Sequence, residues 1–173
     1  MGELFDKLAN YGNSGIYPFH MPGHKRQKTV DFNPYKIDIT EIEGFDNLHH
    51  AEGVLLEAQK KAEKLYGSEE SHFLINGSTA GILSAVSACA KKTVLIARNC
   101  HKAVYHAALI RNLDVYYVYP EIQEEFMLNG GINPADVERS LEEHPEIEAV
   151  VITSPTYDGI VSDVKRIAEI AHA

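Results

Sequence analysis

The stretch "NGSTAG", residues 76–81, places a glycine, two hydroxyls and a run of small residues directly after the apolar "FLI" of 73–75. Gly77 permits a tight turn, Ser78 and Thr79 offer hydroxyl donors, and the helix suited to "AGILSAVSACA" would begin with unpaired amides. Together these can hold an anion, and the helix dipole adds to the attraction. The same residues also suit an ordinary capped helix start, because Ser and Thr are common N-caps. The dinucleotide pattern G-x-G-x-x-G and the P-loop G-x-x-x-x-G-K are both absent, so a phosphate held here belongs to another kind of ligand.

Two further segments carry chemistry. In "RNCHK", 98–102, His101 can stack on a flat ligand, act as an acid or base, or cap the following helix. Arg98 and Lys102 add positive charge that suits an anionic group. In "SPTYDG", 154–159, Thr156 and Asp158 can reach a ligand, or the segment is a plain strand-exit turn of Pro, Asp and Gly. The nine histidines raise the question of a metal. His20 and His24 are four apart, but Pro22 and Gly23 between them break a helix, and neither H-E-x-x-H nor a paired C-x-x-C occurs, so no metal site is expected.

The elements that must position these residues alternate between strand and helix. Val54, Leu55, Ala58, Ala62, Leu65 and Tyr66 share one helical face, with Gly67 as a stop. Strands are expected at 73–75, 93–97, 114–120 and 148–154. Helices are expected at 78–90, 101–111, from Asn133 as N-cap with Pro134 in the first helical position, and from about Asp163 to the end. Such alternation means right-handed βαβ units, a mostly parallel sheet flanked by helices, and ligands at the carboxyl ends of its strands. Residues 1–50, with Pro18, Pro22 and Pro34, read as an irregular segment lying over something else, and residues 51–173 as the sheet-bearing domain.

Bulk properties narrow the function. The 173 residues suffice for a core, and 45% hydrophobic with 24% charged residues reads as soluble and globular. A net charge of -9 argues against nucleic acid, and no apolar run approaches a membrane span. The acidic amphipathic start "MGELFDKLANYG" lacks a secretory signal, and Cys89 and Cys100 read as free thiols, so a cytoplasmic protein is expected.

"FHMPGHK" (19–25), "DITEIEGFDNLHHAEG" (38–53), "FLINGSTAG", "RNCHKA" and "SPTYDGIVSD" follow one another in a fixed order. That ordered set closely resembles the N-terminal part of the bacterial ornithine/lysine/arginine decarboxylases, in the short form found in Gram-positive bacteria. The resemblance implies a pyridoxal 5'-phosphate enzyme of the aspartate-aminotransferase-like fold (fold type I) acting on a basic amino acid. It would be a homodimer or larger assembly whose intact form yields a polyamine or diamine. It also implies that Gly77, Ser78, Thr79 and Ala80 cradle the cofactor phosphate, that His101 stacks on the pyridine ring as a catalytic residue, and that Thr156 lines the cofactor pocket. The family's cofactor-anchoring lysine, in Ser-x-His-Lys, and the aspartate of Asp-Glu-Ala-His have no match in 1–173. The resemblance therefore implies a truncated large domain, inactive by itself. A non-catalytic interaction or regulatory fragment, or aminotransferase or lyase chemistry on the same fold, are the alternatives.

With the bridging strands absent, the expectation is a core sheet of the three later strands. The 73–75 run then detaches, docks on the open edge or pairs with another copy.

Overall fold

The structure is a computed structural model that describes residues 3–17, 19, 31, 33, 36, 38–40 and 42–173. Most of "FHMPGHK", including His20, His24 and Lys25, lies outside the described residues. The chain divides into two compact units, Met1–Glu69 and Glu70–Ala173, so the helix Val54–Tyr66 falls in the first.

The first unit contains helix α1 (Glu3–Gly12), a 3-10 turn at Leu48–His50 and helix α2 (Val54–Tyr66). Gly67 ends α2 in the left-handed region at φ 66°, where its N–H bonds to the Glu63 carbonyl. Glycine takes this conformation without the Cβ clash that other residues meet. Asp46 organises the entry to α2. Its Oδ1 accepts from the Asn47 and Glu52 amides, and its Oδ2 from Gly53 and Leu55, at 2.8–3.0 Å. The Glu52 amide, with the other three donors, holds the Asp46 carboxyl far below the usual carboxylate range.

The second unit is an α/β layer: α3 (Gly77–Cys89), β1 (Thr93–Ala97), α4 (Lys102–Arg111), β2 (Asp114–Val118), a hairpin of β3 (Ile122–Gln123) and β4 (Leu128–Asn129), α5 (Pro134–Glu143), β5 (Val150–Val151) and α6 (Val164–Ala171). The parallel sheet has the order β2-β1-β5, with Thr93 opposite Asp114 and Leu95 opposite Val150. All five residues of "TVLIA" are buried because β1 is central and covered on both faces. Helix α3 packs on α4, and α5 on α6. Right-handed crossovers leaving β1 and β2 in opposite directions put these two pairs on opposite faces. Val86, Val104 and Ala107 fill one side of the core, and Ile132, Val137 and Ile167 the other.

The sheet is therefore built from the three later strands, as the sequence leads one to expect. Phe73–Ile75 is not a strand. It runs as irregular chain into a turn, its three side chains about half exposed or more. No strand among the described residues lies beside it, and a strand needs a neighbour to be stable. β5 proper is shorter than the 148–154 expected, with Val150 and Val151 in register with Leu95 and Ile96 of β1; just before it the Ala149 carbonyl accepts from the Leu95 amide (2.9 Å) and the Glu148 amide donates to the Thr93 carbonyl (3.3 Å). There the Glu148 side chain serves the α3–β1 corner, where Oε2 accepts from the amides of Lys91 (2.7 Å), Lys92 (2.6 Å) and Thr93 (3.2 Å). The Lys92 amide foremost, with Lys91 and Thr93, holds the Glu148 carboxyl below its ordinary range. No helix among the described residues is long and apolar enough to cross a membrane.

Candidate functional site

The parallel strands bring three exits to one edge: residues 98–101 after β1, 119–121 after β2 and 152–156 after β5. The chain leaves β1 toward β2 on one face and reaches β5 by the other. The crevice between β1 and β5 is therefore the topological switch point, where ligands bind in open parallel sheets.

Helix α3 returns to β1 from this edge, so its first turn sits beyond the strand ends. Asn76 occupies the N-cap position but makes no side-chain capping bond, and Gly77 adopts φ 67°. An added Cβ at Gly77 would meet nothing within 4 Å, so backbone conformation, not space, asks for glycine there. Ser78 and Thr79 are exposed, and neither hydroxyl is engaged by another described residue. The helix therefore begins with unpaired amides and two unused hydroxyls. Gly81 has a different reason to be small. A Cβ there would lie 2.6 Å from Leu74 Cδ1, which crosses the helix at this point.

His101 is the N-cap of α4. Its Nδ1 accepts from the Ala103 amide at 3.2 Å, which leaves the proton of the neutral ring on Nε2. Of the three roles open in the sequence, the cap is the one visible in the structure, and the exposed ring and Nε2 remain free for either of the others. The ring borders one end of a cleft of about 420 Å³ that runs along β5 between Thr153 and Cys89 at the end of α3, with Ile82, Val86 and Val104 among its walls. The lining is mostly apolar, as small-molecule sites usually are.

Thr156 closes the turn after β5. Its N–H donates to the Ile160 carbonyl at 2.8 Å, its Oγ1 accepts from the Ile160 amide at 3.1 Å, and Gly159 at φ 89° completes the loop. The structure thus brings His101 and the β5 exit into one cleft. Gly77–Ala80 and Thr156 share the same sheet edge but do not line that cleft. Lys102 begins α4 beside His101.

Sequence reasoning missed Thr153, while Cys100, read there as a free thiol, is free and buried. The Thr153 hydroxyl donates to Cys100 Sγ at 3.5 Å, and the thiol donates to the Val151 carbonyl at 3.5 Å. Burial pushes the Cys100 thiol up, so it stays protonated and is not a nucleophile. The period-two spacing of Val151, the end of β5, and Thr153 just beyond it is the signal the sequence offers.

Residues 3–173 match the family model described as Orn/Lys/Arg decarboxylase, major domain. The chain is 36% identical to the uncharacterized protein YaaO of Bacillus subtilis, over 98% of this chain and 37% of that one. It is 31% identical to an arginine decarboxylase of Bacillus cereus, over 98% of this chain and 39% of the relative. The solved structure of the E. coli constitutive lysine decarboxylase is similar with a TM-score of 0.64 at 25% identity, covering 99% of this chain and 27% of that one. The chain thus spans less than two fifths of the relatives it matches.

Proposed function

The chain belongs to the Orn/Lys/Arg decarboxylase family, major domain, and from that premise we propose that it supplies the phosphate-binding and ring-stacking part of a pyridoxal 5'-phosphate-dependent basic amino-acid decarboxylase. The observation that carries this reading is the start of α3, where uncapped amides and the unused hydroxyls of Ser78 and Thr79 follow a left-handed Gly77. That donor set fits a phosphate, since a helix N-terminus attracts an anion and hydroxyls add charge-assisted hydrogen bonds.

Bound there, the cofactor would supply the electron sink for breaking the bond to the substrate's α-carboxylate. This chain's residues would do the holding. Ser78, Thr79 and the amides of Gly77 and Ala80 would donate to the phosphate. His101, its Nδ1 engaged by Ala103 and its orientation thereby set, would offer its ring face to the pyridine. Thr156 would border the pocket from the β5 exit. The apolar walls of the cleft would exclude water from the ring. No lysine in 1–173 stands in the Ser-x-His-Lys setting, so in this reading residues 1–173 hold the cofactor by non-covalent contacts. Its remaining parts are an arginine, lysine or ornithine substrate, a polyamine or diamine product, a cytoplasmic setting and a homodimer or larger assembly. Exposed Leu109 and Ile110 on α4 support the last of these.

The test is a titration with pyridoxal 5'-phosphate against phosphate-free pyridoxal. Ser78→Ala and Thr79→Ala should each weaken pyridoxal phosphate by about 1.5–3 kcal/mol, the worth of a hydrogen bond to a charged group, and leave pyridoxal unaffected. Equal loss for both ligands, or no loss, refutes the phosphate assignment. In the family's full-length enzyme, His101→Ala should lower turnover more than stability.

A further inference from the structure

Strand β2 stands at one side of the sheet order β2-β1-β5 and has no neighbour on its outer side among the described residues. Its Asp114 amide donates to the Lys92 carbonyl (2.8 Å), and its Val118 carbonyl accepts from the Arg98 amide (2.9 Å). The even-numbered residues therefore face β1, and Val115 and Tyr117 turn their N–H and C=O groups outward. We propose that this edge is a self-association surface, at which β2 pairs antiparallel with β2 of a second copy about a two-fold axis beside Tyr116.

Register, spacing and charge all fit a second copy. Centred on Tyr116, the pairing sets Val115 opposite the partner's Tyr117, and each such pair exchanges two backbone hydrogen bonds. Asp114 falls opposite the partner's Val118, so no like charges meet across the strands. Helix α4 is the crossover from β1 to β2. Its Tyr105 reaches both, with the hydroxyl 3.5 Å from the Ala97 carbonyl and the ring 6.4 Å from that of Tyr117. Pairing across β2 puts the two copies of α4 two strand spacings apart, roughly 9.6 Å, which is the ordinary distance between packed helices. The surface brought together there is apolar and uncovered. Leu109 is 77% exposed and Ile110 71%, and a groove of about 240 Å³ lies between α4 and β2, with Leu109, Val115 and Tyr117 among its walls.

Charge selects the edge. Antiparallel pairing carries the exit of each β2, followed by the exposed Glu121, Glu124 and Glu125, to the corner where the partner's α4 turns into β2. That corner carries Arg111 and Lys92, both exposed and without an ion pair among the described residues. Continued past Val118, the register sets Glu121 opposite the partner's Arg111, and the two-fold axis makes the same contact twice. The net charge of -9 opposes association of two copies in general, so an edge that matches acidic side chains with free cations is favoured over one that does not. The surface shares no lining residue with the cleft at His101, so its test is independent of the pyridoxal phosphate titration.

The test is sedimentation of the full chain across the micromolar range, together with charge reversals and a crosslink. The unaltered chain should dimerise. Arg111→Glu and Glu121→Arg should each weaken the dimer at least about tenfold, and the two combined should regain most of the loss. In a Cys89→Ser background, Tyr116→Cys should form a disulfide between copies under mild oxidation, because residues facing each other at the centre of the pair lie about 4.5 Å apart at Cα. Val115→Cys, which faces the partner's Tyr117 and not its own counterpart, should not. A monomer throughout the range, a dimer indifferent to both reversals, a double reversal that regains nothing, or equal crosslinking at 115 and 116 overturns the proposal. Sedimentation of the unaltered chain and of the exposed charge variants decides the matter even if Tyr116→Cys, which loses the hydrogen bond from Tyr116 to Glu146, does not fold.

Discussion

Asp46 and Glu148 are both carboxylates that gather backbone amides, four in one case and three in the other. They do so in opposite settings. The unit that holds Asp46 buries no apolar side chain among its described residues, and Gln59 is its one buried residue. The unit that holds Glu148 closes over β1, whose Val94, Leu95 and Ile96 are fully buried. In the first, a polar network sets the path of the chain. In the second, apolar burial does most of the work and the carboxylate only fastens a corner.

The largest expected effect follows from the second case. Ile96→Ala removes fully buried apolar volume at the centre of the sheet and should cost about 2–5 kcal/mol, read by urea denaturation. A cost within a few tenths of a kcal/mol would show that the core is not what holds this unit. Asp46→Ala should come next. It should speed hydrogen exchange at Glu52, Gly53 and Leu55, because those amides lose the carboxylate that accepts from them. Unchanged protection there would mean that the network follows the loop instead of setting it.

Acid should expose the same contrast. Both carboxyls have folded pKa values below their unfolded ones. Each therefore contributes stability that is present above the unfolded value, near pH 4, and lost as the pH falls through the folded value. Protection of the Lys91 and Lys92 amides, taken relative to the intrinsic exchange rate at each pH, should fall as the pH drops below about 4.5 through the lowered folded value of Glu148, and Glu148→Gln should abolish that dependence. The smallest effect belongs to Gly67→Ala, which places a Cβ in the left-handed region at the end of α2 and should cost about 1 kcal/mol.

The contrast also explains how far the sequence could be read. Where apolar periodicity drives structure, the elements were legible. β1 falls on 93–97, His101 caps the helix after it, Asn133 and Pro134 open α5, and Asp163 caps α6. Phe73–Ile75 resembles a strand by composition, but a strand is a property of a pair, and no strand among the described residues neighbours it. The β3–β4 hairpin is hard to see in the sequence because each arm has only two residues, and its turn places Met127 at φ 52° without an Asn-Gly or Asp-Gly signature.

Site legibility divides along the same line. The alternation of strands and helices is enough to place "NGST", "RNCHK" and "SPTYDG" at one sheet edge. The roles assigned to Gly77, Ser78, Thr79, Ala80, His101 and Thr156 rest on the resemblance. Asp46 is visible in the sequence only as part of an acidic stretch, because nothing there says that one carboxylate will collect four amides contributed by residues up to nine positions away.

The sheet order also sets a sequence of events in time. β1 meets β2 across the short connection from Thr93 to Asp114, but it meets β5 only after the chain has looped from Leu95 to Val150. Closing the longer loop costs roughly 0.8 kcal/mol more by the logarithmic rule for flexible chains, repaid only once residues 148–151 have met β1. The β1–α4–β2 unit is therefore the natural folding nucleus, and β5 joins late. The crevice between β1 and β5 is consequently the last part of the sheet edge to form and the first to open when the chain unfolds.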